Sequence, residues 1–237
     1  MIPLHDDNPT TITPIVTITF ILACVLVFLY QVSLPDDAGE LFVFQYGAIP
    51  SVVFGQAALP AEVGQFPAAL SLLTSMYLHG GWLHLIGNML YLWIFGNNIE
   101  DVMGHKRFIA FYVLCGILAA LSHALTDPSS SVPMIGASGA ISGVLGAYLL
   151  LFPRSRVLVI IPLGFFSRMM YVPAGFVLGL WFVMQVLSGG MSFGRAGGGV
   201  AFFAHIGGFV AGMALIGLFK RREVRFFWAG PSRRRHG

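Results

Sequence analysis

Six stretches of this chain run without a single Lys, Arg, Asp or Glu: Ile15–Val32, Leu78–Asn97, Phe108–Leu125, Pro133–Phe152, Val172–Leu187 and Gly199–Phe219. An α-helix rises about 1.5 Å per residue, so about 20 apolar residues cross the roughly 30 Å of a bilayer's hydrocarbon core. The expected fold class is therefore all-α, a polytopic membrane protein of six transmembrane helices. Only 10% of the residues are charged and 57% are hydrophobic, where soluble domains carry about 25% charge. The fifth stretch is short. Its approach, Val157–Phe166, is apolar but interrupted by Pro162 and Gly164, and reads as interfacial or re-entrant.

The 13 Lys and Arg residues set an orientation. Lys106 and Arg107 fall between spans two and three, and Arg154, Arg156 and Arg168 between four and five. Seven more follow span six, and only Arg195 lies in a loop of the other parity. Positive charge stays on the cytoplasmic side, so both termini are expected there. The loop 33–77 carries Asp36, Asp37, Glu40 and Glu62 without Lys or Arg and is expected outside. The predicted layout is a cytoplasmic segment 1–14, a membrane domain 15–219 and a basic cytoplasmic tail 220–237. The tail reads as an orientation signal touching anionic membrane lipids rather than as a nucleic-acid site. Residues 1–14 hold no Lys or Arg, so the first span reads as a retained helix rather than a signal peptide. With no transit segment visible, a bacterial cytoplasmic membrane is the expected location. Cys24 and Cys115 lie in apolar runs and read as small buried hydrophobes, with neither metal-ligand nor disulfide spacing. No metal and no cofactor are expected, and oligomeric state is left open.

Ionisable and polar side chains at membrane depth are the functional candidates. Span two carries His84 with Asn88 one turn later on the same face. Span three carries His123, span four Ser138 and span six His205. Spans two, four and six all enter from the outer side, and His84, Ser138 and His205 each lie five or six residues in. That is one common depth of roughly 8–9 Å. Gly139, Gly143 and Ala147 of span four, and Ala204, Gly208 and Gly212 of span six, recur at steps of four. Such small faces let helix backbones approach closely. Their meeting brings Ser138 and His205 within hydrogen-bond reach, the geometry of a base-activated nucleophile. Free N–H groups at the start of the fourth helix, with His84 and Asn88, are placed to stabilise an oxyanion. His79 and His123 have no motif around them and read as structural or interfacial.

These residues resemble the rhomboid family of intramembrane serine proteases. "GASG" (136–139) is similar to that family's nucleophile motif, "HLIGN" (84–88) to its His-x-x-x-Asn motif, and "AHIGG" with Gly212 to its sixth-helix motif. The resemblance involves all six spans. It implies a six-helix rhomboid-like bundle with Ser138 as nucleophile and His205 as general base. It implies an oxyanion hole of His84, Asn88 and the Ser138 backbone N–H, with Gly136 and Ala137 close to substrate. The implied substrates are single-pass membrane proteins cut near their outer membrane boundary, and the Gly-rich stretch 188–199 resembles the family's mobile cap. Two positions depart from the pattern. Ser142 stands where an aromatic often packs on the catalytic His, leaving Phe202 or Phe209 to hold His205. Leu70 and Ser71 stand where a Trp-Arg pair often anchors the first outer loop.

Other classes fit less well. A metal-dependent intramembrane protease needs a His-Glu-x-x-His motif, which is absent, and an aspartyl protease needs two aspartates within spans. A transporter or channel using the histidines as a polar path lacks both intramembrane carboxylates and an evident repeat. A rhomboid-like pseudoprotease that binds membrane clients without cutting them typically lacks the Ser or the His, and both are present.

Overall fold

The computed structural model describes residues 1–163, 166–192 and 201–227. The order of elements is β1 (Ile2–Asp6), α1 (Ile15–Ser33), α2 (Asp36–Tyr46), α3 (Pro50–Val53), α4 (Ala68–Thr74), α5 (Trp82–Tyr91), α6 (Asn97–Met103), α7 (His105–Ala124), α8 (Ser138–Leu151), β2 (Arg156–Leu163), β3 (Phe166–Pro173), α9 (Ala174–Ser192) and α10 (Phe202–Phe219). Among the described residues four helices are long and apolar enough to cross a membrane: α1, α7, α9 and α10. The fold is thus mostly helical, but it is not all-α. A three-stranded antiparallel sheet of order β1-β2-β3 stands before α9. Of the expected interfacial piece Val157–Phe166, Val157–Leu163 belongs to β2 and Phe166 opens β3, while Gly164 and Phe165 lie outside the described residues. Val157 and Val159 are fully buried, at every second position, as a half-buried strand requires. Pro162 sits opposite Ser167, near the hairpin end, where a missing N–H matters least.

The second apolar stretch begins and ends later than expected. Helix starts at Trp82, after Gly80 and Gly81, and continues without a break through a π-helical segment, Leu92–Gly96, into α6. That continuation carries Glu100, which is fully buried. Its carboxylate accepts from the backbone N–H groups of Val16 and Thr17 at 2.9 and 2.8 Å, and from the Thr17 hydroxyl at 2.7 Å. The free N–H groups at the start of α1 thereby find an acceptor, and His105 Nδ1 lies 2.6 Å from Oε1, the oxygen that also accepts from Val16.

The centre of the molecule is a tight contact of α8 with α7 and α10. A Cβ on Gly208 would strike the Gly139 carbonyl oxygen, and one on Gly212 would strike that of Gly143. The glycine faces of α8 and α10 therefore do meet, backbone on backbone. Gly139 and Gly143 turn their own missing side chains toward Ala119 and Cys115 of α7, 2.7 and 2.5 Å from an added Cβ. Bulk at any of these positions would part the helices that carry the candidate site.

Between α1 and α5 the chain folds back in short helices. A run of rings, Tyr30–Phe42, Phe42–Tyr46 and Tyr46–Phe66, with centroids 5.4, 4.8 and 4.9 Å apart, ties this loop to α1. The Thr74 hydroxyl donates to the Tyr46 carbonyl at 2.7 Å. These contacts supply anchoring that Leu70 and Ser71 do not suggest.

Candidate active site

α8 begins at Ser138 rather than at Pro133. The chain reaches it in extended form, pairing Met134 with Ala48 and donating from Gly136 N–H to the Ser75 carbonyl at 2.9 Å. Gly136 holds φ at +123°, a conformation that glycine adopts without a Cβ penalty. Ser138 is therefore the first residue of α8, in the turn whose N–H groups have no intrahelical acceptor. His205 lies in the first turn of α10. Its Nε2 is 2.8 Å from Ser138 Oγ. Its Nδ1 is 2.7 Å from Gln185 Oε1 on α9. The ring of Trp181, also on α9, lies 5.8 Å from the His205 ring, centroid to centroid.

His84 occupies the first turn of α5. Its Nδ1 accepts from the Gly80 backbone N–H at 3.2 Å, so the ring proton of the neutral form sits on Nε2. That nitrogen faces Gly136, where an added Cβ would stand only 2.8 Å away. Asn88 is buried, its Nδ2 has no hydrogen-bond partner, and it lies 3.7 Å from the same missing Cβ. Two side-chain N–H groups thus converge beside the start of α8. A cavity of about 1250 Å³ is lined by His84, Asn88, Ser138 and His205 together with Trp181 and His123. Among the described residues no three His, Cys, Asp or Glu side chains gather as a metal-ligand set.

Residues 67–222 match the family described as Rhomboid domain. The chain belongs to the rhomboid family. It is 42% identical over 78 residues to RHOMBOID-like protein 5 of Arabidopsis thaliana, covering 33% of this chain and 25% of that protein. It is 38% identical over 106 residues to Rhomboid protease GluP of Bacillus subtilis (strain 168), covering 40% of this chain and 20% of that protein. With Presenilin-associated rhomboid-like protein A, mitochondrial, of Danio rerio it shares 27% identity over 168 residues, 67% of this chain and 41% of that protein. The matches thus span less than half the length of these relatives. This rhomboid is a multi-pass integral membrane protein, and Ser138, His205, His84 and Asn88 all fall within the matched domain.

The structure brings together the four polar residues picked out from the sequence, nearer the starts of their helices than expected. They stand in the first turns of their helices, or one turn further for Asn88, because Leu78–Gly81 and Pro133–Ala137 approach those helices without being helical. Ala137 is fully buried and turned into the core at the N-cap of α8. Ser142 carries no ring; its hydroxyl donates to the Ser138 carbonyl at 2.6 Å. Trp181 packs against His205, and Phe209 stands behind Trp181 at 6.0 Å. His79 is buried with Nδ1 3.2 Å from the Tyr77 carbonyl and its ring 5.2 Å from that of His84. His123 lines the cavity. Of the Gly-rich stretch 188–199, the part up to Ser192 continues α9 and the rest lies outside the described residues. Gln185 and Trp181 escaped sequence reading, although Gln185 is the one amide in an otherwise apolar fifth span.

Proposed function

We propose that this rhomboid is an intramembrane serine endopeptidase, and that the 2.8 Å contact of Ser138 Oγ with His205 Nε2 is its catalytic dyad. His205 takes the hydroxyl proton as Oγ attacks a substrate carbonyl. The negative oxygen of the tetrahedral intermediate is held by the Ser138 N–H, His84 Nε2–H and Asn88 Nδ2–H, donors already aimed before substrate arrives. His205 then gives its proton to the leaving amine, and water releases the acyl group by the same steps in reverse. Gly136 keeps the approach to Ser138 open. The substrates on this reading are single-pass membrane proteins, cut near the outer membrane boundary where the site's helix starts lie.

The same reading takes α5 with its continuation through α6, and the short α8, as the remaining two spans of a six-helix domain 15–219. The site faces outward, and both termini and the tail 220–237 lie in the cytoplasm of a bacterial cell. The charge distribution supports that orientation. Purified protein in liposomes should cleave a single-pass helical substrate, and both Ser138→Ala and His205→Ala should abolish cleavage. Cleavage that survives either substitution overturns the dyad. Specific substrate binding without cleavage by the unaltered protein indicates a client-binding rhomboid instead.

A further inference from the structure

A glutamine facing lipid is costly, because its amide gives up water without gaining a partner. Val183, Met184, Val186 and Leu187 of α9 are exposed on the apolar surface, whereas Gln185 between them is half-buried. It shares a face with Trp181 and Gly189, at steps of four, and that face meets α10. A Cβ on Gly189 would lie 3.3 Å from the Phe202 side chain, Trp181 rests against His205, and Gln185 Oε1 is 2.7 Å from His205 Nδ1.

An amide oxygen only accepts, so this contact places the imidazole proton on Nδ1. Nε2 then presents a lone pair to the Ser138 hydroxyl, which is what a general base requires. The opposite tautomer would point an N–H at Ser138 and leave it without a base. We propose that Gln185 is a positioning residue for His205, selecting its reactive tautomer and, with Trp181, holding its ring in plane toward Ser138. The inference rests on the reading of Ser138 and His205 as a dyad. It makes the constellation Ser–His–Gln, in which an uncharged acceptor orients the base without burying a carboxylate at membrane depth.

The test is inactivation of the full-length protein in detergent by a fluorophosphonate, separating the maximal rate kinact from the half-saturating concentration KI. Gln185→Met keeps the length and removes the acceptor, and Gln185→Glu keeps an acceptor. Gln185→Met should lower kinact about ten- to a hundredfold, the scale of one unmet buried hydrogen bond, with KI within about twofold of the unaltered protein. Gln185→Glu should restore most of kinact. Imidazole ¹⁵N NMR should report the Nδ1–H tautomer in the unaltered protein and its loss in Gln185→Met. If Gln185→Met does not fold, Gln185→Asn, whose carbonyl falls one methylene short, should show the same loss against Gln185→Glu. An unchanged kinact in Gln185→Met, or an equal fall in Gln185→Met and Gln185→Glu, overturns the positioning role and leaves the dyad standing. No labelling of the unaltered protein overturns the dyad and the inference with it.

Discussion

A side chain at Gly136 would put its Cβ 2.8 Å from His84 Nε2, and the Gly136 φ of +123° is one that an L-residue resists. The bare backbone at 136 thus makes room for the His84 imidazole in the cavity that Ser138 also lines. Gly136→Ala should be less stable by about 1–2 kcal/mol from backbone conformation alone. It should also lose about 10²-fold or more in reactivity as His84 is pushed aside. Thermal unfolding beside fluorophosphonate labelling separates the two effects. Labelling at the rate of the unaltered protein would mean that His84 is not a donor to the site.

Asn88 presents the contrasting case. Its Nδ2 is buried and bonded to nothing in the resting structure, so removing it forfeits no existing hydrogen bond. Asn88→Ala should retain the unfolding temperature, yet lower the cleavage rate by about 10²-fold, the usual cost of one strong oxyanion donor. A fall in stability with an unchanged rate would make Asn88 a structural residue.

The polar residues of the site were legible in the sequence because charge and polarity are scarce in a chain of this kind. Ser138, His84, Asn88 and His205 stand out against apolar runs, and the glycine spacing indicates which helices touch. Where the helices begin was not legible. Pro133–Ala137 is as apolar as the helix that follows it, and hydropathy does not register the Gly136 dihedral or the bonds to Ser75 and Ala48. Nor was the hairpin visible, since a continuous run such as "VLVIIPL" does not distinguish a strand from an interfacial helix. Glu100 was not singled out, because the donors that satisfy it at Val16 and Thr17 are distant in sequence. Gln185 gained its meaning only from a partner on another helix.

The sheet and the end of α8 share an ionisable group that gives stability a pH dependence. Asp6 of β1 accepts from the Tyr148 hydroxyl at 2.6 Å. Burial raises its carboxyl from 3.8 to about 6, outweighing the lowering effect of that hydrogen bond. A carboxyl that holds its proton more tightly when folded contributes most below its unfolded value, and that contribution is lost as pH rises through about 6. Asp6→Asn keeps an acceptor for Tyr148 and cannot ionise. It should match the unaltered protein near pH 4 and exceed it near pH 8 by on the order of 2 kcal/mol. Thermal unfolding at the two pH values checks this; a substitution that destabilises equally at both would show that the charged form is not disfavoured by burial.

The central claim is that Ser138 is a nucleophile made reactive by His205. Fluorophosphonate labelling of the purified protein, read by mass spectrometry, tests it most directly and needs no known substrate. One adduct per chain is predicted, on Ser138, absent in Ser138→Ala and lost in a folded His205→Ala protein. A folded, unaltered protein that takes up no label, or that is labelled equally well without His205, would contradict it.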